Sequence, residues 1–232
     1  MRVLFILAHP DDESYGPAGS ILKCTENGAD VYLITLTRGE AGTLGDSKVL
    51  KPQELADLRS GELKCAAKVL KLYDLLIGDF PDGRLNKTPV KKGVSFLLEK
   101  INKIVPDIIV TFHPNGITGH KDHIAISKWT LNAIQKIGYP VKLLYYGISE
   151  KLVKNLADRQ LIAMPDNEIT HEIDVSSYLD KKVEAIHCHK SQLEIFKKMK
   201  SSVSDYRLLV GKEYFSQVIP KPSSNKQEFK LF

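Results

Sequence analysis

Val3-Leu4-Phe5-Ile6-Leu7-Ala8 runs without a break into His9-Pro10-Asp11-Asp12-Glu13. Six consecutive apolar residues offer no polar face to water. Such a run reads as a strand buried on both sides, the kind found in parallel sheets covered by helices. The residues that follow are the reverse: an imidazole and three carboxylates, with Pro10 ending the strand.

Working outward, Pro17–Asn27 closed by Gly28 reads as a helix with a glycine stop, and Val31–Thr37 as a second strand. A glycine-bearing loop, Arg38 to Asp46, comes next. Pro52–Leu70 is a long amphipathic helix with Pro52 in its first turn, and Leu72–Ile77 a third strand. Pro89–Val105 is a helix ended by Pro106, and Asp107–Phe112 a fourth buried strand. Asp122–Ile137 is a helix stopped by Gly138, and Lys142–Gly147 a fifth strand. This alternation predicts an α/β fold: a Rossmann-like, doubly wound, mostly parallel sheet in three α/β/α layers. With strand order 3-2-1-4-5, strands one and four are neighbours at the switch point. A second polar run, Gly119-His120-Lys121-Asp122-His123, follows strand four, so both runs meet at the carboxyl edge, where such sheets bind ligands. In the last third, Glu168–Val175 reads as a strand, Ser177–His189 and Leu193–Met199 as helices, and Tyr214–Val218 as a late strand. One domain is expected over 1–219, with 220–232 as a polar tail.

The 232 residues, 43% apolar and 26% charged, suit one soluble globular core. The formal charge of +5 is spread over scattered lysines without interleaved aromatics, which argues against a nucleic-acid partner and leaves a basic rim for a small anionic one. No stretch is long enough to span a bilayer, and the apolar start is too short for a signal segment, so a cytoplasmic protein without a transmembrane segment is expected. Cys24, Cys65 and Cys188 are sparse and far apart. They predict a reduced compartment, and neither a disulfide framework nor a Cys-rich zinc site.

His9 and Asp12, three apart in a turn, can aim a nitrogen and an oxygen at one point, a pairing that suits Zn²⁺ and other borderline divalent ions. Asp11 must point elsewhere, and a carboxylate beside a cation is placed to take a proton from water. Glu13 can bind backbone or support the site from outside; the plainer reading of the whole cluster is an acidic helix start. His120 and His123 are also three apart. One can ligate while the other faces reacting atoms, with Asp122 bonding an imidazole N–H to set its tautomer. This is the inventory of a metal hydrolase with an open coordination position.

These two runs resemble the LmbE/PIG-L family of zinc-dependent N-deacetylases, and the likeness extends further. Thr37-Arg38-Gly39-Glu40-Ala41-Gly42 is similar to the family's glycine loop, Leu58-Arg59-Ser60-Gly61-Glu62 to its Arg-x-x-Glu helix, and Phe80-Pro81-Asp82-Gly83 to its Asp-Gly turn. His189-Lys190-Ser191-Gln192 resembles its closing pattern. Lys121 replaces the usual proline of the second run. The resemblance implies that His9, Asp12 and His123 hold Zn²⁺, or iron or another divalent ion in the cell. It makes Asp11 the general base. His120 stabilises an oxyanion or protonates the leaving amine, and Asp122 orients it. Arg59, Glu40, Asp82 and His189 are implied around the substrate, while His113, His171 and His187 are read as structural. The implied reaction removes the N-acetyl group from a small N-acetylglucosamine-type glycoside, in a chain that forms a homo-oligomer. Two other readings stand beside it: a glycoside hydrolase using Asp11 and Asp122 as paired carboxylates, and a non-catalytic sugar- or metal-binding protein.

Overall fold

The opening apolar run forms β1 (Arg2–Leu7), in the interior of a seven-stranded sheet of order β3-β2-β1-β4-β5-β7-β6. The computed structural model describes residues 1–43, 50–154, 161–193 and 211–221. Strands β2 (Asp30–Thr37), β3 (Asp74–Phe80), β4 (Ile108–Phe112) and β5 (Lys142–Gly147) run parallel to β1. The expected 3-2-1-4-5 order holds. Beyond it the sheet continues with two antiparallel strands, β7 (Lys212–Ile219) against β5 and β6 (His171–Asp174) against β7.

The helices are α1 (Asp12–Tyr15), α2 (Ala18–Glu26), α3 (Pro52–Val69), α4 (Val90–Ile104), α5 (Gly116–Gly119), α6 (Lys121–Ile134), α7 (Glu150–Lys154) and α8 (Leu179–Cys188). α4 packs on α6, while α2 and α3 pack on α8, so helices cover both faces of the sheet. Val3 to Ala8 are essentially inaccessible, as a doubly covered strand requires. Phe5 pairs with Leu33 on one side and Val110 on the other. That register puts the ends of β1 and β4 level, so the loops after them open at the same sheet edge.

Several expected boundaries move. The third strand starts at Asp74 instead of Leu72, because Lys71 takes a left-handed turn (φ 55°) after α3. The strand expected at Glu168–Val175 keeps only His171–Asp174, with a 3₁₀ turn at Asp166–Glu168 before it. Of the helix expected at Leu193–Met199, residues 194–199 lie outside the described residues, as do 222–232 of the expected tail and 44–46 of the glycine loop.

The cysteine expectation is corrected: Cys65 and Cys188 are joined in a disulfide, with Cα atoms 5.6 Å apart. Their sequence separation of 123 residues hides the packing of α3 on α8 that brings them together. With that bridge, the cysteines no longer point to a reduced compartment. No described helix is long and apolar enough to cross a membrane.

β7 also performs a task that no local pattern announces. Pro17, at the start of α2, provides no side-chain cap. Glu213 of β7 supplies it instead, accepting from Gly19 N–H at 3.0 Å and Ser20 N–H at 2.8 Å. Its charge is matched by Lys182 Nζ at 2.8 Å, and both side chains are buried.

Candidate metal centre

The turn after β1 is held by its own Glu13 and by Arg59 of α3. Asp11 has φ 114° and ψ −26°, a conformation that costs a residue with a Cβ roughly 1–3 kcal/mol. Its backbone N–H donates to Glu13 Oε2 at 3.0 Å, and its carboxylate accepts from Arg59 Nη2 at 3.1 Å. Arg59 also donates to Pro10 O at 2.6 Å and Gly39 O at 2.9 Å. Gly39 and Gly42 make room for that guanidinium, since a Cβ at either would come within 2.5 Å of Nη1. Arg59, expected beside the substrate, is buried, and its two terminal nitrogens donate to Asp11 and the two loops, while its buried Nε has no hydrogen-bond partner among the described residues.

His189, also expected at the substrate, packs behind the turn. It is fully buried, with Nε2 2.6 Å from Glu13 Oε1. Glu13 is itself inaccessible and supports the turn from behind, accepting also from Ser14 Oγ at 2.6 Å. Glu62 of the same α3 face accepts from Ser191 N and Oγ, both at 2.7 Å. No role was expected of Glu62. The signal was its helical i, i+3 spacing from Arg59, which puts both on one face.

The loop after β4 builds the other half. His120 caps α6, its Nδ1 accepting from Asp122 N–H at 3.2 Å, which leaves Nε2 carrying the ring proton. His123 lies within the first turn of α6, stacked on Phe112 with ring centroids 3.9 Å apart. Its Nδ1 is 3.1 Å from Gly116 O, an acceptor only, so Nε2 keeps its lone pair free.

Asp122 requires a correction of role. Its carboxylate accepts from Leu85 N–H at 2.9 Å and Gly83 N–H at 2.7 Å and lies 3.3 Å from His9 Nε2. It is inaccessible, and what reaches His120 is its backbone N–H. Asp82, from the turn after β3, places Oδ1 3.0 Å from His9 Nε2 and accepts from Ala41 N–H at 3.0 Å through Oδ2. Glu40 accepts from Asp82 N–H at 2.7 Å. These two acids, expected around the substrate, clamp the second and third loops together.

Asp12 lies between the halves. Its Oδ2 accepts from His9 N–H at 2.7 Å and sits 3.4 Å from His9 Nδ1, and its Oδ1 is 3.4 Å from His123 Nε2. Two donors bound at about 2.0–2.1 Å to one tetrahedral ion lie about 3.3–3.4 Å apart. The residues therefore fit a divalent cation. Asp12 meets the two imidazoles through different oxygens, while ligating atoms of His9, His120 and His123 fall within 4.8 Å of one another, as do those of His9, Asp82 and Asp122.

The electrostatics agree. Burial alone would lower His9 and raise Asp12. The facing groups outweigh it, holding His9 well above an ordinary imidazole and Asp12 well below an ordinary carboxylate. Burial and the neighbouring His9 and His123 lower His120. Burial pushes Asp11 up to about 6, against the pull of Arg59 and with a further push from Asp12.

A donor set that fits a divalent cation at the carboxyl edge of a doubly wound sheet, with a carboxylate and an imidazole beside it, is the equipment of a metal-dependent hydrolase. The PIG-L family model, described as GlcNAc-PI de-N-acetylase, matches residues 4–134, and the chain belongs to that family. It is similar to the 1D-myo-inositol 2-acetamido-2-deoxy-alpha-D-glucopyranoside deacetylase of Mycobacteroides abscessus, with 29% identity over 84% of this chain and 82% of the relative. It is also similar to the probable N-acetyl-alpha-D-glucosaminyl L-malate deacetylase 2 of Bacillus anthracis, with 29% identity over 82% of this chain and 81% of the relative. Among solved structures, GalB, the 4-carboxy-2-hydroxymuconate hydratase of Pseudomonas putida KT2440, superposes with a TM-score of 0.71 at 19% identity, covering 96% of this chain and 98% of its own. At that identity the likeness shows the fold.

Proposed function

We propose that the chain removes the acetyl group from a small N-acetylglucosamine-type glycoside, using one divalent ion, zinc, held by His9, Asp12 and His123. The observation that carries the reading is the pair of imidazoles around Asp12. Each has one ring nitrogen facing a protein acceptor and the other facing the same carboxylate at 3.4 Å. Two imidazole nitrogens turned toward one carboxylate at that spacing make a donor set on which a shared divalent cation can replace protons. When bound, the ion supplies Lewis acidity to the acetamide carbonyl and to the attacking water.

The remaining work falls to side chains. Asp11, which Arg59 and Glu13 keep in place, takes the proton of the attacking water. His120 presents Nε2–H to the oxygen on which charge develops, a contribution typically worth about 3–4 kcal/mol. The proton then passes to nitrogen, and the amine and acetate leave. Phe112 and Gly116 hold His123 by stacking and by hydrogen bond, which keeps that ligand in register.

The hydratase on the same fold gives the rival reading a concrete form, addition of water to a carbon–carbon double bond. An assay of acetate release from N-acetylglucosamine conjugates bearing inositol, malate, lipid or a second sugar, with and without added Zn²⁺, separates the two. Zinc-dependent acetate with a matching free amine is expected from at least one conjugate. No acetate from any of them, together with hydration of an enol or enoate substrate, overturns the proposal.

A further inference from the structure

His9 Nε2 faces two carboxylates at once, Asp82 Oδ1 at 3.0 Å and Asp122 Oδ2 at 3.3 Å. With a cation on Nδ1, the imidazole keeps one N–H, on Nε2, and one acceptor would satisfy it. Its counterpart His123 makes do with a single backbone carbonyl. From this we infer that Asp82 and Asp122 are redundant positioning residues. Together they fix the proton of His9 on Nε2, keep Nδ1 bare toward Asp12, and so set the affinity for the cation. The inference rests on the metal reading above.

The two acids belong to different segments, and each is pinned independently of His9. Asp122, near the start of α6, accepts from Gly83 and Leu85 N–H groups. Asp82 is bound through Ala41 N–H and, by its own N–H, to Glu40. Gly83 has φ 72°, and this left-handed turn lets its N–H reach Asp122 while the preceding side chain reaches His9. Asp122 also meets the turn that carries Asp82, but Ala41 and Glu40 hold that carboxylate without it. Ionised carboxylates only accept, so neither can draw the proton to Nδ1. An asparagine amide can: its N–H₂ facing Nε2 would demand a lone pair there and move the proton to the ligating nitrogen. Partners of this kind are worth 10–100-fold in metal affinity.

Redundancy gives the test its form. Zinc affinity is measured by competition with a chromogenic chelator for wild type, Asp82→Asn, Asp122→Asn and the double variant. Thermal melting of each metal-free protein is followed in parallel. Each single variant is expected to lose less than about tenfold in affinity, because the remaining carboxylate still holds the proton. The double is expected to lose about 100-fold or more, beyond the product of the singles. A double variant that binds zinc like wild type, or singles that each lose as much as the double, overturns the inference while leaving the metal site standing. A wild type that binds no zinc overturns the metal reading itself. Should the double variant fail to fold, ¹⁵N spectra of His9 in the zinc-loaded wild type decide: zinc on Nδ1 with a proton on Nε2 is expected, and zinc on Nε2 overturns it.

Discussion

Asp11 adopts a backbone conformation that few residues with a Cβ tolerate, and Glu13, Arg59 and the Pro10 carbonyl act together to keep it there. Strain of this size persists only where the surroundings over-determine it. Here they direct one carboxylate at Arg59 while its neighbour Asp12 faces two imidazoles. Asp11→Asn should therefore leave zinc binding intact and reduce kcat by at least about 100-fold, the range of general-base assistance. Activity equal to wild type would remove Asp11 from the proton transfer. Arg59 gives a sharper discrimination. As a residue that positions Asp11, its replacement Arg59→Lys should lower kcat about tenfold or more with KM little changed. Had it bound the substrate in ground and transition states alike, KM would rise and kcat would hold. Steady-state kinetics on one acetylated conjugate separates the two.

At the scale of elements, α4 rests on α6 through Gly93, where a Cβ would lie 2.2 Å from the buried Trp129 ring. Two effects of Gly93→Ala oppose each other. Helix propensity gains up to about 1 kcal/mol, while overpacking costs about 1–3 kcal/mol. A net loss of stability in urea denaturation is expected, and a stabilised variant would show that Trp129 has room to move. The disulfide joins α3, which carries Arg59 and Glu62, to the end of α8, which leads into His189 and Ser191. Reduction should cost about 2–4 kcal/mol of stability, as closing a long loop commonly contributes, and an unchanged melting temperature would contradict this. The parallel half of the sheet was legible because β1, β4 and β5 are nearly unbroken apolar runs, and burial on both faces leaves that mark. β3 was placed two residues early at its start and three at its end because it is an edge strand with Asp74 and Asp79 in it, and periodicity there is weak. The ligands proposed for the cation could be named from the sequence, since they sit in two short runs. What Arg59, His189 and Asp122 bind was not. Those partners lie on other segments, and helical spacing says which residues share a face but not what the face meets.

Over the whole molecule, residues from the first turn and from α6 converge on one point, so a bound ion would tie β1 to α6 and link binding to stability. With zinc at about 100 times its Kd, the folded state gains about 2.7 kcal/mol. Chelation should lower the melting temperature accordingly, and an identical melt with and without chelator would contradict it. The sheet alone does not choose the reaction, since a hydratase shares it. The choice lies in the donor set at the carboxyl edge. The most direct test is the zinc content per chain after dialysis, measured for wild type, His123→Ala and Asp12→Ala. One ion per wild-type chain, lost in both variants, is the predicted result. A wild type that holds none, or variants that each keep a full equivalent, would contradict the account.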